Sequence, residues 1–155
     1  MLYGKRKAFT MIELVFVIVV LGILAAVAVP RLAATRDDAQ IAKGRSDVSA
    51  IRSAIISERQ TRLFRGQSNF INRLDAGVSA NAAGVTLFDH NGTAANTILQ
   101  YGITSGLTAG HWVKVNATTY RYILSTGNTD FVYSSTTGIF DCAGGAGTNC
   151  ALLTD

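Results

Sequence analysis

"FTMIELVFVIVVLGILAAVAVP", residues 9–30, decides how the rest of the chain is read. Phe9 to Val29 is a run of 21 residues whose only strongly polar member is Glu13, with Thr10 and Gly22 as lesser interruptions. As a helix rising ~1.5 Å per residue, such a run is about 31 Å long, enough to cross the hydrocarbon core of a bilayer. A carboxylate in that setting costs roughly 2.5–3.5 kcal/mol. Glu13 therefore needs a partner.

Lys5, Arg6 and Lys7 precede the run, and no cation interrupts it. The positive-inside rule places the N-terminus in the cytoplasm and everything after Pro30 outside. A cleaved secretory signal would have a shorter apolar core ending in a small-x-small site. Ala26-Val27-Ala28 meets that pattern loosely, but the run is too long and flows without a break into a helical pattern.

Beyond Pro30 the pattern becomes amphipathic. Ile41, Val48, Ile51 and Ile55 recur at intervals of 7, 3 and 4, which is helix spacing. Arg31, Asp38, Arg45, Arg52 and Arg59 recur every seven residues along a neighbouring stripe. Such a stripe ordinarily marks a solvated face, and it also suits pairing with acidic residues on another copy. Phe64-Arg65-Gly66 reads as a stop. The whole helix would be about 80 Å long, more than one small domain can bury. Half of it must be covered by lipid or by other molecules.

Residues 67–110 are rich in Gly, Ala, Asn, Ser and Thr and read as an irregular connection, with a helical turn in Ala95 to Tyr101. The period then changes to two. His111–Asn116, Thr119–Ser125, Asp130–Ser134 and Gly138–Cys142 have strand composition, separated by turns at 117–118, 126–129 and 135–137. Four short strands predict an antiparallel meander with one face on the amphipathic half-helix. At 155 residues the chain has room for one domain. Its segments are 9–30, 31–65 and a head over 66–155.

From Arg31 to Arg73 there are nine cations and four acids, net +5; from Leu74 onward there are two cations and five acids, net −3. A basic stem and an acidic head suit self-association, and nucleic acid is not the main partner expected. Cys142 and Cys150 lie close together. If the head is outside the cytoplasm the compartment allows a disulfide; two free thiols are the plain alternative. A metal pair would need further ligands, and none are nearby.

Ala8-Phe9-Thr10-Met11-Ile12-Glu13-Leu14, preceded by a short basic leader and followed by about twenty apolar residues, strongly resembles the N-terminus of type IV pilins and of the pseudopilins of type II secretion. The close resemblance covers residues 5 to 35. It implies an α+β, pilin-like fold in which a long N-terminal helix packs on a small antiparallel sheet, its apolar half spanning a membrane or forming a filament core. It implies a leader over 1–8, removed by a prepilin peptidase between Ala8 and Phe9, with methylation of the new Phe9 amine. The family usually has glycine before the cut; Ala8 departs from that and is also small. The resemblance further implies that Glu13, with Thr10, serves assembly. After cleavage the Phe9 amine lies four residues from Glu13 on one helix face, and in an assembly the carboxylate meets the amine of a neighbouring subunit. Gly22 and Pro30 match the family's helix-weakening positions. Cys142 to Cys150 resembles the C-terminal disulfide loop of many type IV pilins. A loop so short contributes at most roughly 2–3 kcal/mol.

The partners implied are other copies in a helical filament, the peptidase, an inner-membrane assembly platform and membrane lipid before assembly. The location implied is the inner membrane with a cytoplasmic N-terminus, then a surface filament. No enzyme is expected, and no catalytic residue, metal or cofactor. His90 and His111 stand in no nucleophile or metal motif, and the glycines at 144, 145 and 147 lack a following lysine. Asn128, Asp130 and Asp141 are the candidate ligands for a calcium ion. Asp89-His90-Asn91-Gly92-Thr93 fits an extended bacterial glycan acceptor. The reading is a pilus subunit for adhesion, motility or uptake. Its rivals are a type II secretion pseudopilin and a single-pass anchored binding module that never polymerises.

Overall fold

The computed structural model describes residues 9–89, 98–143 and 148–154. The leader, the glycan-acceptor stretch beyond Asp89 and residues 95–97 of the expected helical turn lie outside these residues; the rest of that turn, Ile98 to Tyr101, is described and is not helical. Helix α1 runs Met11–Phe64, and the boundary between two compact units falls within it, after Arg36. The architecture is α+β, a long N-terminal helix with antiparallel sheets packed on its C-terminal part.

The first unit is helix through its described length, from Met11 to Arg36. Its large apolar side chains from Phe9 to Leu32 are exposed, and its most apolar window, mean hydropathy 3.0, has none of its residues buried. Pro30 sits inside the helix without ending it. Thr35 Oγ1 donates to the carbonyls of Arg31 at 3.0 Å and Leu32 at 3.1 Å, so its hydroxyl is satisfied by its own helix.

In the second unit α1 ends where the sequence says it should. Gly66, at φ 75°, donates to Leu63 O at 3.0 Å, and Gln67 donates to Arg62 O at 2.9 Å. This is the Schellman arrangement, in which a left-handed glycine lets the last carbonyls find donors. β3 (Trp112–Lys114), β4 (Thr119–Leu124), β5 (Gly127–Tyr133) and β6 (Phe140–Cys142) form an antiparallel sheet in that order. Tyr120 and Tyr122 on β4 and Phe131 and Tyr133 on β5 alternate inward, and Val48, Ile51 and Ile55 of α1 join them in one core. Phe88 is a hub of that core, edge-on to Trp112 at 5.5 Å and to Phe140 at 5.9 Å.

Three features depart from the sequence reading. The connection 67–110 contains an antiparallel pair, β1 (Thr86–Leu87) with β2 (Ile103–Thr104), too short to show a period. The 126–129 turn is shorter than expected: Leu124 pairs with Gly127, so only Ser125 and Thr126 make the turn, with Gly127 at φ 137°. A short helix α2, Thr148–Thr154, follows the meander and buries Leu153.

The arginine stripe is the larger correction. It is not simply a solvated face, because three of its arginines hold the head. Arg45 Nε donates to Leu152 O at 2.6 Å, on α2. Arg52 Nε donates to Phe140 O at 2.9 Å, and its Nη2 meets Asp141 at 2.8 Å, both on β6. Arg59 donates to Ser68 O and lies 4.5 Å over the Phe70 ring. A guanidinium offers five fixed donors, so each arginine satisfies carbonyls at an element edge while its stem covers apolar surface. Outward carbonyls on both edges of the meander are answered from within the chain. Arg52 takes Phe140 O on β6; on β3, Asn81 donates to Lys114 O at 2.8 Å and Gly106 to Trp112 O at 3.0 Å.

A buried polar knot ties the connection to the sheet. Asp75, fully buried, accepts from Lys114 Nζ at 2.8 Å, Tyr120 OH at 2.5 Å and the backbone of Gly77 at 2.7 Å. Burial alone would raise the carboxyl's pKa; Lys114, Tyr120 and Gly77 outweigh it and hold the pKa below the usual range. Burial together with the Asp75 charge pushes the Tyr120 hydroxyl far up, keeping it a donor. On the helix side, Tyr122 OH donates to Gln40 O at 2.7 Å, with burial raising the hydroxyl to about 12, and Trp112 Nε1 donates to Asp47 at 3.0 Å.

Two expectations follow. A Cβ at Gly44 would lie 2.6 Å from both Leu153 Cδ2 and Tyr122 Cε1. Overpacking costs about 1–3 kcal/mol, against roughly 1 kcal/mol returned by helix propensity. Gly44→Ala should therefore lower the urea midpoint of the detergent-solubilised chain, and a raised midpoint would show that Tyr122 and Leu153 can yield. Because the Asp75 pKa is lowered on folding, its contribution is complete above the ordinary carboxylate pKa and is lost as pH falls through the lowered native value. Asp75→Asn leaves the Lys114 ammonium buried without its carboxylate, at a cost of about 3–5 kcal/mol. Stability measured against pH should show a lower plateau and a shallower acid limb for the variant.

Candidate assembly surface

The first turn of α1 shows what holds Glu13. Thr10 is the N-cap and Glu13 the third residue of the helix. Thr10 N and Thr10 Oγ1 both donate to Glu13 Oε2 at 2.9 Å, and Glu13 N donates back to Thr10 Oγ1 at 3.3 Å. This reciprocal pattern is a capping box, which satisfies orphan donors at a helix start. The signal, Thr-x-x-Glu ahead of an apolar run, is present in the sequence and was not used in reading it. Among the described residues the carboxylate is thus answered by donors rather than by a cation, and the group remains exposed. Phe9, Ile12, Phe16 and Val17 line a shallow apolar groove beside it. Ala8, on the other side of the expected cut, lies outside the described residues.

Gly22 and Pro30 lie on unbroken helix. A Cβ at Gly22 would meet nothing within 4 Å, so this glycine is not required by packing inside the chain.

At the other end of the chain, Cys142 on β6 and Cys150 on α2 are disulfide-bonded, with Cα atoms 6.2 Å apart. The stems of that loop are also the two places clasped from α1, by Arg52 beside Cys142 and by Arg45 two residues beyond Cys150. Two of the three calcium ligands considered from sequence are otherwise engaged, and Asn128 is exposed. Asp130 takes Arg121 at 2.6 and 2.9 Å, and Asp141 takes Arg52. Among the described residues no cluster of three metal-ligating side chains occurs. His111 Nδ1 faces Thr108 Oγ1 at 3.2 Å in a local turn, and His90 lies outside the described residues.

Residues 3–29 match the family described as the prokaryotic N-terminal methylation motif. The chain is 39% identical over 51 residues to the type II secretion system core protein G of Pseudomonas aeruginosa, a match covering 33% of this chain and 36% of that protein. It is 48% identical over 50 residues to the type IV narrow pilus major component PilA5 of Thermus thermophilus, covering 32% of this chain and 43% of that protein. The matched part thus spans less than half the length of either curated relative. No solved structure matches. The motif and both relatives thus show that about a third of this chain is similar to type IV pilins and type II secretion pseudopilins.

Proposed function

We propose that the chain is a pilin, a structural subunit that polymerises into a type IV pilus filament. The observation that carries this reading is an apolar helix left uncovered by its own chain, opening on Thr10 and Glu13 inside a methylation motif. A subunit anchored only in lipid gains nothing from a carboxylate in its span. A subunit that docks against a copy of itself does.

The proposed sequence of events follows from charge. The basic leader holds the N-terminus in the cytoplasm, where the peptidase cuts between Ala8 and Phe9 and the Phe9 amine is methylated. That amine is a cation lying within lipid, four residues from Glu13. Burying either charge alone is penalised far more than burying them together. On an inner-membrane platform, Glu13 of an incoming subunit takes the amine of its neighbour and so selects the docking depth. Gly22, which packs against nothing in the chain, and Pro30, which lacks a backbone donor, mark where α1 can loosen during packing. The disulfide loop, pinned covalently and by two arginines, belongs on the filament surface. A second reading, a type II secretion pseudopilin, is supported by the similarity to the Pseudomonas protein. It shares every step except the length and destination of the filament.

Capping and charge pairing separate experimentally. Glutamine can replace glutamate in a capping box, so Glu13→Gln keeps the helix start and loses the charge. Glu13→Ala loses both, and Thr10→Ala removes the cap at about 1 kcal/mol while keeping the charge. Both Glu13 variants are expected to insert, to be cut before Phe9 by intact mass, and to accumulate in the membrane without filaments by electron microscopy. Thr10→Ala should still assemble. Normal filaments from Glu13→Gln would show that the cap, not the charge, is the assembly feature.

A further inference from the structure

The heptad stripe on α1 has more in it than the head contacts absorb. On the second unit's part of α1, most charges are answered inside the chain. Lys43 pairs with Asp47 at 3.7 Å, Arg62 with Glu58 at 3.4 Å and Arg52 with Asp141 at 2.8 Å, while Asp37 accepts Ser125 Oγ at 2.6 Å. Asp38 and Arg45 stand outside these pairs, as does Arg59, whose guanidinium is engaged by Ser68 O and the Phe70 ring. Asp38 and Arg45 are both exposed. Among the described residues Asp38 pairs with no cation, and Arg45 meets a carbonyl but no carboxylate. That carbonyl, Leu152 O, holds Nε and so fixes the guanidinium in place while its outer nitrogens remain to donate.

Asp38 and Arg45 are seven residues apart, nearly on one face of the helix and about 10.5 Å apart along it, too far to pair with each other. A second copy lying parallel with no offset would set Asp38 against Asp38 and Arg45 against Arg45. A copy displaced by one heptad sets Asp38 level with the neighbour's Arg45; it also sets Arg45 level with Arg52, whose charge is already answered by Asp141. Ala42 and Ser49, beside these charges and equally exposed, are small enough to let two helices come close.

We infer that Asp38 and Arg45 form an ion pair between adjacent subunits, which sets a one-heptad axial stagger. The occupant of this face is a second copy of the chain, and the inference rests on the filament reading above. An exposed pair is worth too little to drive association alone. It acts once the apolar helices have brought the copies together, where a small term selects one offset among several.

Two measurements on the full-length chain test this. Asp38→Arg and Arg45→Asp should each reduce sheared filament about fivefold or more relative to processed subunit in the membrane. Combining them should restore the yield. Ala42→Cys with Ser49→Cys leaves both charges in place, and after mild oxidation of filaments it should give a ladder of cross-linked subunits that either single cysteine does not. Wild-type yields from the single charge variants would overturn the pair, as would failure of the combined variant while its solubilised subunit resists protease like the wild type. Normal filaments of the double-cysteine chain without a ladder would overturn the stagger even if Arg45→Asp disturbs the head. Absence of filaments from the unaltered chain would instead remove the filament reading itself.

Discussion

One helix has to satisfy two solvents, and everything else in the molecule accommodates that. Residues up to Leu32 present apolar side chains on every side, which the chain does not cover. Burying such residues is worth about 1.5–3 kcal/mol each, so something outside the chain must supply the cover. From Asp37 onward the same helix narrows to a single apolar stripe, Val48, Ile51 and Ile55, and the chain supplies the cover itself. The cover is aromatic: Trp112, Tyr120, Tyr122, Phe131 and Phe140 meet edge-on or tilted around Phe88 and against one another, with Phe131 stacked on Phe140. Gly44 lets Tyr122 and Leu153 come against the helix where a larger residue would hold them off.

The polar contacts around that seam are arranged so that little of it depends on chance. A hydroxyl and an indole aimed at the helix find Gln40 O and Asp47, and the buried Asp75 carboxylate finds an ammonium, a phenol and backbone donors. A half-satisfied group in such a place costs more than the bond it fails to make. The arginines at 45, 52 and 59 extend the same logic to the edge of the head, where each takes a carbonyl belonging to a different segment.

Much of this was legible in the sequence, and the reasons differ by element. The α1 stripe was readable because periodicity over many residues outweighs local accidents, and its end was readable because Gly66 supplies the one conformation the last carbonyls need. The meander was readable from strand composition between turns. The β1–β2 pair was not, since two residues per strand carry no period. The arginines were misread for a different reason. Spacing places them on one face, but their partners are backbone carbonyls, which every residue has and which no sequence pattern marks. At the N-terminus the reverse held: Thr10 and Glu13 were singled out for assembly, while the capping pattern they share went unnoticed beside the cost of a carboxylate in an apolar run.

The answered carbonyls on the edges of the meander carry a consequence for any setting in which many copies are crowded side by side. A bare strand edge is a template on which a second sheet can grow. Here the outward Phe140 carbonyl of β6 is taken by Arg52, and the outward carbonyls of β3 are taken by Asn81 and Gly106. Heads brought to very high local concentration would find those sites already engaged by their own chain. The molecule thereby separates two kinds of stickiness, leaving its apolar helix open to association while answering, on each edge of the meander, carbonyls on which a further strand could grow.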